Sequence, residues 1–228
     1  MSDARFDGRL VVLTGDAEAA LIGATEAAFT DSGADVARVD QAGLGATARP
    51  DICVCFARMH SGSALGDTPP EALEEHVVRA LLVPQRSAMM AAQRMGSEGG
   101  TIVVVGGPDA THAYPRRAAA SIAMGGLLGM VRAMAVELSG MGIRANLVLV
   151  GPLGGAPHRA PSEASDDATR LERTLLRSPM GRLARPEEVA AAIRFVAGPD
   201  AGFMTGQTIR VDGGWASLNQ TPDGMRFP

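Results

Sequence analysis

An α/β chain, a doubly wound parallel sheet with helices on both faces, is the fold that this sequence predicts. Three observations carry it. Short apolar, β-branched runs recur along the chain; a longer stretch of helical character follows each; and glycine and proline mark the joins. Leu10–Leu13 reads as a short buried strand closed by Thr14-Gly15. Glu18–Ser32 reads as a helix stopped by Gly33, since glycine accepts the left-handed backbone that ends helices. Asp35–Val39 and Ile52–Ala57 are the next strands, joined by a loop over Gln41–Pro50. Pro70–Met95 is helical with a kink at Pro84, whose ring and missing N–H break the ladder. Thr101–Val105 is a strand of β-branched residues, and Ala118–Gly140 a long helix rich in Ala, Met and Gly. Arg144–Val150 is a strand, Ser165–Leu176 a short helix, Pro186–Ala197 a helix and Gln207–Val211 the last strand. Gly151–Ala164 is irregular, as is a tail over 215–228; residues 1–228 read as one domain.

Composition narrows the function. The chain has 228 residues, 46% of them hydrophobic, which excludes a disordered segment. A net charge of −4, with arginines and acids interspersed, argues against nucleic acid as a partner. The polar N-terminus shows no signal peptide and no apolar run is expected to span a membrane, so the expected compartment is the cytoplasm. Cys53 and Cys55 lie in one apolar strand, where they are expected to point to opposite faces as two small buried residues. The four histidines, at 60, 76, 112 and 158, show no metal-ligand spacing. All 21 Lys+Arg positions are arginine, and Tyr114 is the only tyrosine.

Three C-terminal blocks are specific in order and spacing: Pro179-Met180-Gly181-Arg182, Arg185-Pro186-Glu187-Glu188-Val189-Ala190 and Thr205-Gly206-Gln207-Thr208-Ile209-Arg210-Val211-Asp212-Gly213-Gly214. Together with Gly142-Ile143-Arg144-Ala145-Asn146, they resemble the second half of a short-chain dehydrogenase/reductase. The resemblance covers the chain, strongly from Thr101 onward, and implies a Rossmann-like fold. Enzymes of that family reduce carbonyls with a serine, a tyrosine thirteen residues later, a lysine four beyond that, and a further asparagine. Aligned on this chain, those positions hold Gly107, Ala120, Met124 and Ala80. None can protonate a developing alkoxide or orient a carbonyl. Arginine does not stand in for the lysine, because its donor geometry and pKa differ.

The cofactor loop departs as well. The family's Thr-Gly-x-x-x-Gly-x-Gly reads Thr14-Gly15-Asp16-Ala17-Glu18-Ala19-Ala20-Leu21, with Ala19 and Leu21 where glycines admit the pyrophosphate. Leu21 is expected to push a branched side chain towards that space, and Asp16 and Glu18 to repel phosphate. The family's Asn-Asn-Ala-Gly reads Cys55-Phe56-Ala57-Arg58, so Phe56 and Arg58 are expected beside the cofactor. Asp40 stands where members that prefer NAD hydrogen-bond the adenine ribose, and equally suits a strand-end turn. Between Asp40 and Asp51 the family has a helix, a strand and another helix. Here ten residues must return the chain, a reach of ~15 Å as helix or ~33 Å extended. A mostly extended linker and a six-stranded sheet lacking one adenine-side strand follow.

The resemblance therefore implies a pseudoenzyme: a degenerate, inactive subunit of a heteromeric dehydrogenase, such as the hydroxyacyl-CoA dehydrogenase of anaerobic toluene degradation. This chain would carry no catalytic residue and bind no cofactor or metal of its own. It would pair, as part of a hetero-oligomer such as a heterotetramer, with an active NAD-dependent subunit that interconverts a secondary alcohol and a ketone. The two long helices and the last helix and strand would make the contacts. Two alternatives stay open. The emptied cleft could bind a regulatory ligand through Arg58, His112, Arg116, Arg117, His158 or Arg159, or His112 with Asp109 or Asp40 could run different chemistry.

Overall fold

The computed structural model describes residues 6–57, 64–113, 116–154, 174–175 and 177–217. Its centre is a six-stranded parallel sheet: β1 (Leu10–Gly15), β2 (Asp35–Arg38), β3 (Ile52–Phe56), β4 (Gly100–Gly106), β5 (Ile143–Val150) and β6 (Thr208–Val211), in the order β2-β1-β3-β4-β5-β6. The expected strand number is met. β3 and β4 are apolar runs buried along almost their whole length because helices cover both faces. One face carries α1 (Ala19–Thr30) and α6 (Pro186–Ala197), and the other carries α4 (Val83–Met95) and α5 (Ala118–Leu138). Each fully buried Val, Leu or Ile contributes about 1.5–3 kcal/mol, so the two clusters dominate stability.

Polar contacts pin the sheet ends. Leu10 N–H donates to Asp51 at 2.9 Å, tying the starts of β1 and β3 together. The half-buried Arg144 donates to the carbonyls of Val196 and Met204 at 3.1 and 3.0 Å, locking the end of α6 to β5. Phe6 meets Phe29 edge-on at 5.2 Å between ring centres.

Four expectations change. First, the linker after β2 is not mostly extended. It forms a short helix, α2 (Gln41–Ala46), because Asp40 accepts a hydrogen bond from Gly43 N–H at 2.7 Å and caps it. Buried Leu44 anchors it, and with β3 only two strands away, a helical turn plus four extended residues suffices. Second, the long helix before β4 runs over Pro70–Met95 as expected, and its irregularity at Pro84 takes the form of a widened turn. It divides into α3 (Pro70–Val77), a π-helical turn over Val78–Leu82, and α4. Pro84 sits in the first turn of α4; without an N–H it cannot close onto the Ala80 carbonyl, and the ladder widens upstream.

Third, Cys53 and Cys55 face the same side, with sulfurs 3.6 Å apart, because alternate residues of a strand share a face. Both are free and buried, and the hydrogen bond to Cys53, then burial, hold the Cys55 thiol well above its usual range. Fourth, among the described residues one helix, Ala118–Met141, is long and apolar enough by length and composition to cross a membrane. It is a core helix of this fold, with Ala123, Met124, Leu127 and Val131 against the sheet. The helix expected over Ser165–Leu176 and the irregular stretch beyond 154 lie almost wholly outside the described residues, as do residues 218–228 of the tail.

Candidate functional site

β1 connects to β2 on one side and β3 connects to β4 on the other, so a crevice opens at the carboxyl ends of β1 and β3. A cleft of about 490 Å³ occupies it. Leu13, Ile22, Val39, Phe56 and Val83 form apolar walls; Asp16, Arg38, Asp40 and Arg79 bring charge. β1 can turn this tightly against β3 only because residue 15 is glycine. Its φ is +99°, and a Cβ there would overlap the Phe56 carbonyl. The next amide, Asp16 N–H, donates to that carbonyl at 3.2 Å. Asp40 spends one carboxylate oxygen on the α2 cap and still lines the cleft, the strand-end role combined with a place in the site. Arg38 lies 3.8 Å from Glu26, and Arg79 is 2.8 Å from Glu75, both on the exposed rim.

The amino end of α1 corrects one expectation. Leu21 does not project into the cleft: it is fully buried in the apolar cluster beneath α1, because the helix begins at Ala19 and Leu21 faces the sheet. Ala19 is exposed and adds no bulk. Glu18 precedes the helix with one carboxylate oxygen buried and without a hydrogen-bond partner. Phe56 is buried, with only its surface towards the cleft available. Arg58 lies outside the described residues.

Sequence spacing brought Ala80, Gly107, Ala120 and Met124 together, and the fold does the same. Ala80, Ala120 and Met124 have no exposed surface and Gly107 is buried. Gly107 N–H donates to Met124 Sδ at 3.2 Å. Beside them, the wholly buried Asp109 carboxylate pairs with Arg117 through two bonds of 2.6 and 2.7 Å, joining the loop after β4 to the start of α5. That pair binds Asp109 away from the partnership with His112 that sequence left open. His112 Nδ1 lies 3.1 Å from Thr111 Oγ1. Arg116 is exposed in a left-handed conformation, φ +62°. Tyr114, His158 and Arg159 lie outside the described residues. Among the described residues, no three His, Cys, Asp or Glu side chains cluster as a metal site would require.

Sequence reading missed Arg38, Arg79 and Val83 as site residues. Arg79 and Val83 come from the widened turn and the helix after it, some 65 residues from β1, and only the fold brings them there.

Comparison with known proteins adds the following. The family profile described as enoyl-(acyl carrier protein) reductase matches residues 31–216. L-rhamnose 1-dehydrogenase (NAD(P)(+)) of Azotobacter vinelandii is 31% identical over 91% of this chain and 82% of its own length. A protein of Xanthobacter autotrophicus named inactive 2-(S)-hydroxypropyl-CoM dehydrogenase 2 is 35% identical over 52% of each chain. Across the relatives compared, the matched segment spans from 29% to 82% of the relative's length. Gluconate 5-dehydrogenase of Burkholderia cenocepacia, solved with NADP and tartrate, superposes with a TM-score of 0.82 at 22% identity, over 95% of this chain and 98% of that one. These findings correct the expectation that the chain is no enzyme. Its relatives and its structural neighbour carry the names of dehydrogenases. Four buried apolar positions show where proton transfer is not carried; they do not show that the chain is inactive. The expected lack of a cofactor gains no support either, since that neighbour holds NADP in the same fold.

Proposed function

The chain belongs to the short-chain dehydrogenase/reductase family, and from that premise we propose that it works as one subunit of a hetero-oligomeric oxidoreductase. The assembly interconverts a secondary alcohol, such as a hydroxyacyl-CoA, and a ketone with a nicotinamide cofactor. Its other subunit is a family member with the tyrosine and lysine in place.

The observation that carries this reading is the outward face of α5. A helix apolar all round is normally covered all round. The inner face of α5 is buried on the sheet, yet on the outer face Ile122 is 46% exposed and Val136 78% exposed. Between them, a Cβ added at Gly125 or Gly129 would meet nothing within 4 Å, so the ridge is smooth and open to close approach by another helix. Arg132 and Glu137 flank it and would set register. Contiguous apolar surface of this kind marks a protein interface. Free thiols at Cys53 and Cys55 agree with a cytoplasmic, reducing setting.

Native mass spectrometry of the chain expressed with a dehydrogenase encoded beside it tests the proposal. A stable hetero-oligomer is expected, and Val136→Asp should dissociate it while leaving the circular dichroism unchanged. A wild-type chain that stays apart from that partner overturns it.

A further inference from the structure

Asp7-Gly8 and Asp212-Gly213 are the same dipeptide in opposite settings. We propose that Asp7-Gly8 is a site of spontaneous aspartate isomerisation, and so a substrate for an enzyme that methylates isoaspartyl carboxylates. Glycine has no Cβ to shield its amide nitrogen, which opens the bond to attack by that nitrogen. The Gly8 nitrogen attacks Asp7 Cγ: the N–Cγ bond forms, the Cγ–O bond breaks, and the amide proton leaves with the hydroxyl as water. The cyclic imide then takes up water. Addition at Cγ restores aspartate. Addition at the main-chain carbonyl carbon breaks its bond to the Gly8 nitrogen and leaves the chain running through the side chain. Atoms balance, and no oxidant or cofactor enters.

The turn leaves this path open. Arg9 N–H donates to the Phe6 carbonyl at 3.0 Å, which places Gly8 third in the turn with φ +68°. Asp7 and Gly8 are exposed, and a Cβ added at Gly8 would meet nothing within 4 Å. The Asp7 carboxylate lies against the Gly33 backbone, and among the described residues neither it nor the Gly8 N–H has a hydrogen-bond partner. Asp212 is held instead. One carboxylate oxygen accepts from Gly214 N–H at 2.9 Å and the other from Ala216 N–H at 3.0 Å. Gly213 packs on Ser178 and Met180, and its carbonyl accepts from Met180 N–H at 3.3 Å. Isomerisation at Asp7 inserts a methylene between two fixed points. Phe6 is buried against Phe29 with its N–H on the Ser32 carbonyl, and Leu10 N–H is bound to Asp51. The exposed turn absorbs the shift, and there a methyltransferase can reach the new carboxylate.

This goes beyond the assembly reading, and a peptide map reports it whether or not the chain has a partner. The test is to age the purified protein at mildly acidic pH and digest it with trypsin; cleavage after Arg5 and Arg9 releases Phe6–Arg9. Isoaspartate is read by methyl transfer from S-adenosylmethionine with a purified isoaspartyl methyltransferase. Electron-transfer fragmentation locates it, separating Asp212 from Asp223 in the C-terminal peptide. Residue 7 is expected to convert at least about tenfold faster than residue 212, where two hydrogen bonds must break first. Asp7→Glu, at an exposed position, should remove the signal at residue 7 with the circular dichroism unchanged. Equal conversion at residues 7 and 212 of the folded chain would overturn the proposal. So would an absence of isoaspartate at residue 7 over a period in which the urea-unfolded chain has converted there.

Discussion

The two halves of the crevice differ in kind. On the β2 side the walls stop short of one another and leave a cleft edged by Asp16, Arg38, Asp40 and Arg79. On the β4 side Ala120 and Met124 have no exposed surface, Gly107 is buried, and the Gly107 N–H donates to Met124 Sδ at 3.2 Å. The same sheet and the same switch point thus support an open polar site and a sealed apolar one. The difference lies in a few side chains at the strand ends. Once a position there holds Met or Ala, burial is favourable and the site joins the core. Where arginines and aspartates remain, their solvation keeps the space open.

The strongest way to break this comparison is to put charge back into the sealed half. Met124→Lys puts an uncompensated ammonium at a wholly buried position among apolar groups. A loss of about 3–5 kcal/mol in urea unfolding is expected. A stable Met124→Lys protein would mean that the second half opens readily. Next in size is Arg117→Ala, which strands the buried Asp109 carboxylate and should cost about 3 kcal/mol by the same measurement.

Asp40→Ala sharpens the comparison from the open side. Loss of the α2 cap should cost about 1 kcal/mol. Urea unfolding of the variant measures that loss. The smallest expected effect is a control far from both halves. Arg182, through two hydrogen bonds, and then the Arg185 amide hold the Glu188 carboxylate down at about 2, against an ordinary value of 4.5. A depressed acid stabilises the fold above its unfolded pKa and loses that contribution as pH falls from about 4.5 towards 2. Glu188→Gln should therefore flatten stability over that window.

Much of this was legible along the chain. Alternating strands and helices gave the parallel sheet, and the ten residues between Asp40 and Asp51 left no room for a seventh strand. The expectation for Ala80, Gly107, Ala120 and Met124 rests on spacing, and the structure adds that all four are buried. The direction of Leu21 was not: a helix starting at Ala19 turns it into the core, and a start one or two residues away would not. The shared face of Cys53 and Cys55 was within reach, because the period of a strand is two.

Residue order by itself determined the fold, the family and the absence of a titratable side chain at positions 80, 107, 120 and 124. All three rest on local periodicity, on spacing and on which side chains exist at all. Only the tertiary structure decided that a cleft opens at the carboxyl ends of β1 to β3, that Arg38 and Arg79 line the same cleft, and that α5 keeps an apolar outer face. Those outcomes depend on which distant segments close over a given residue, and a linear pattern does not carry that information.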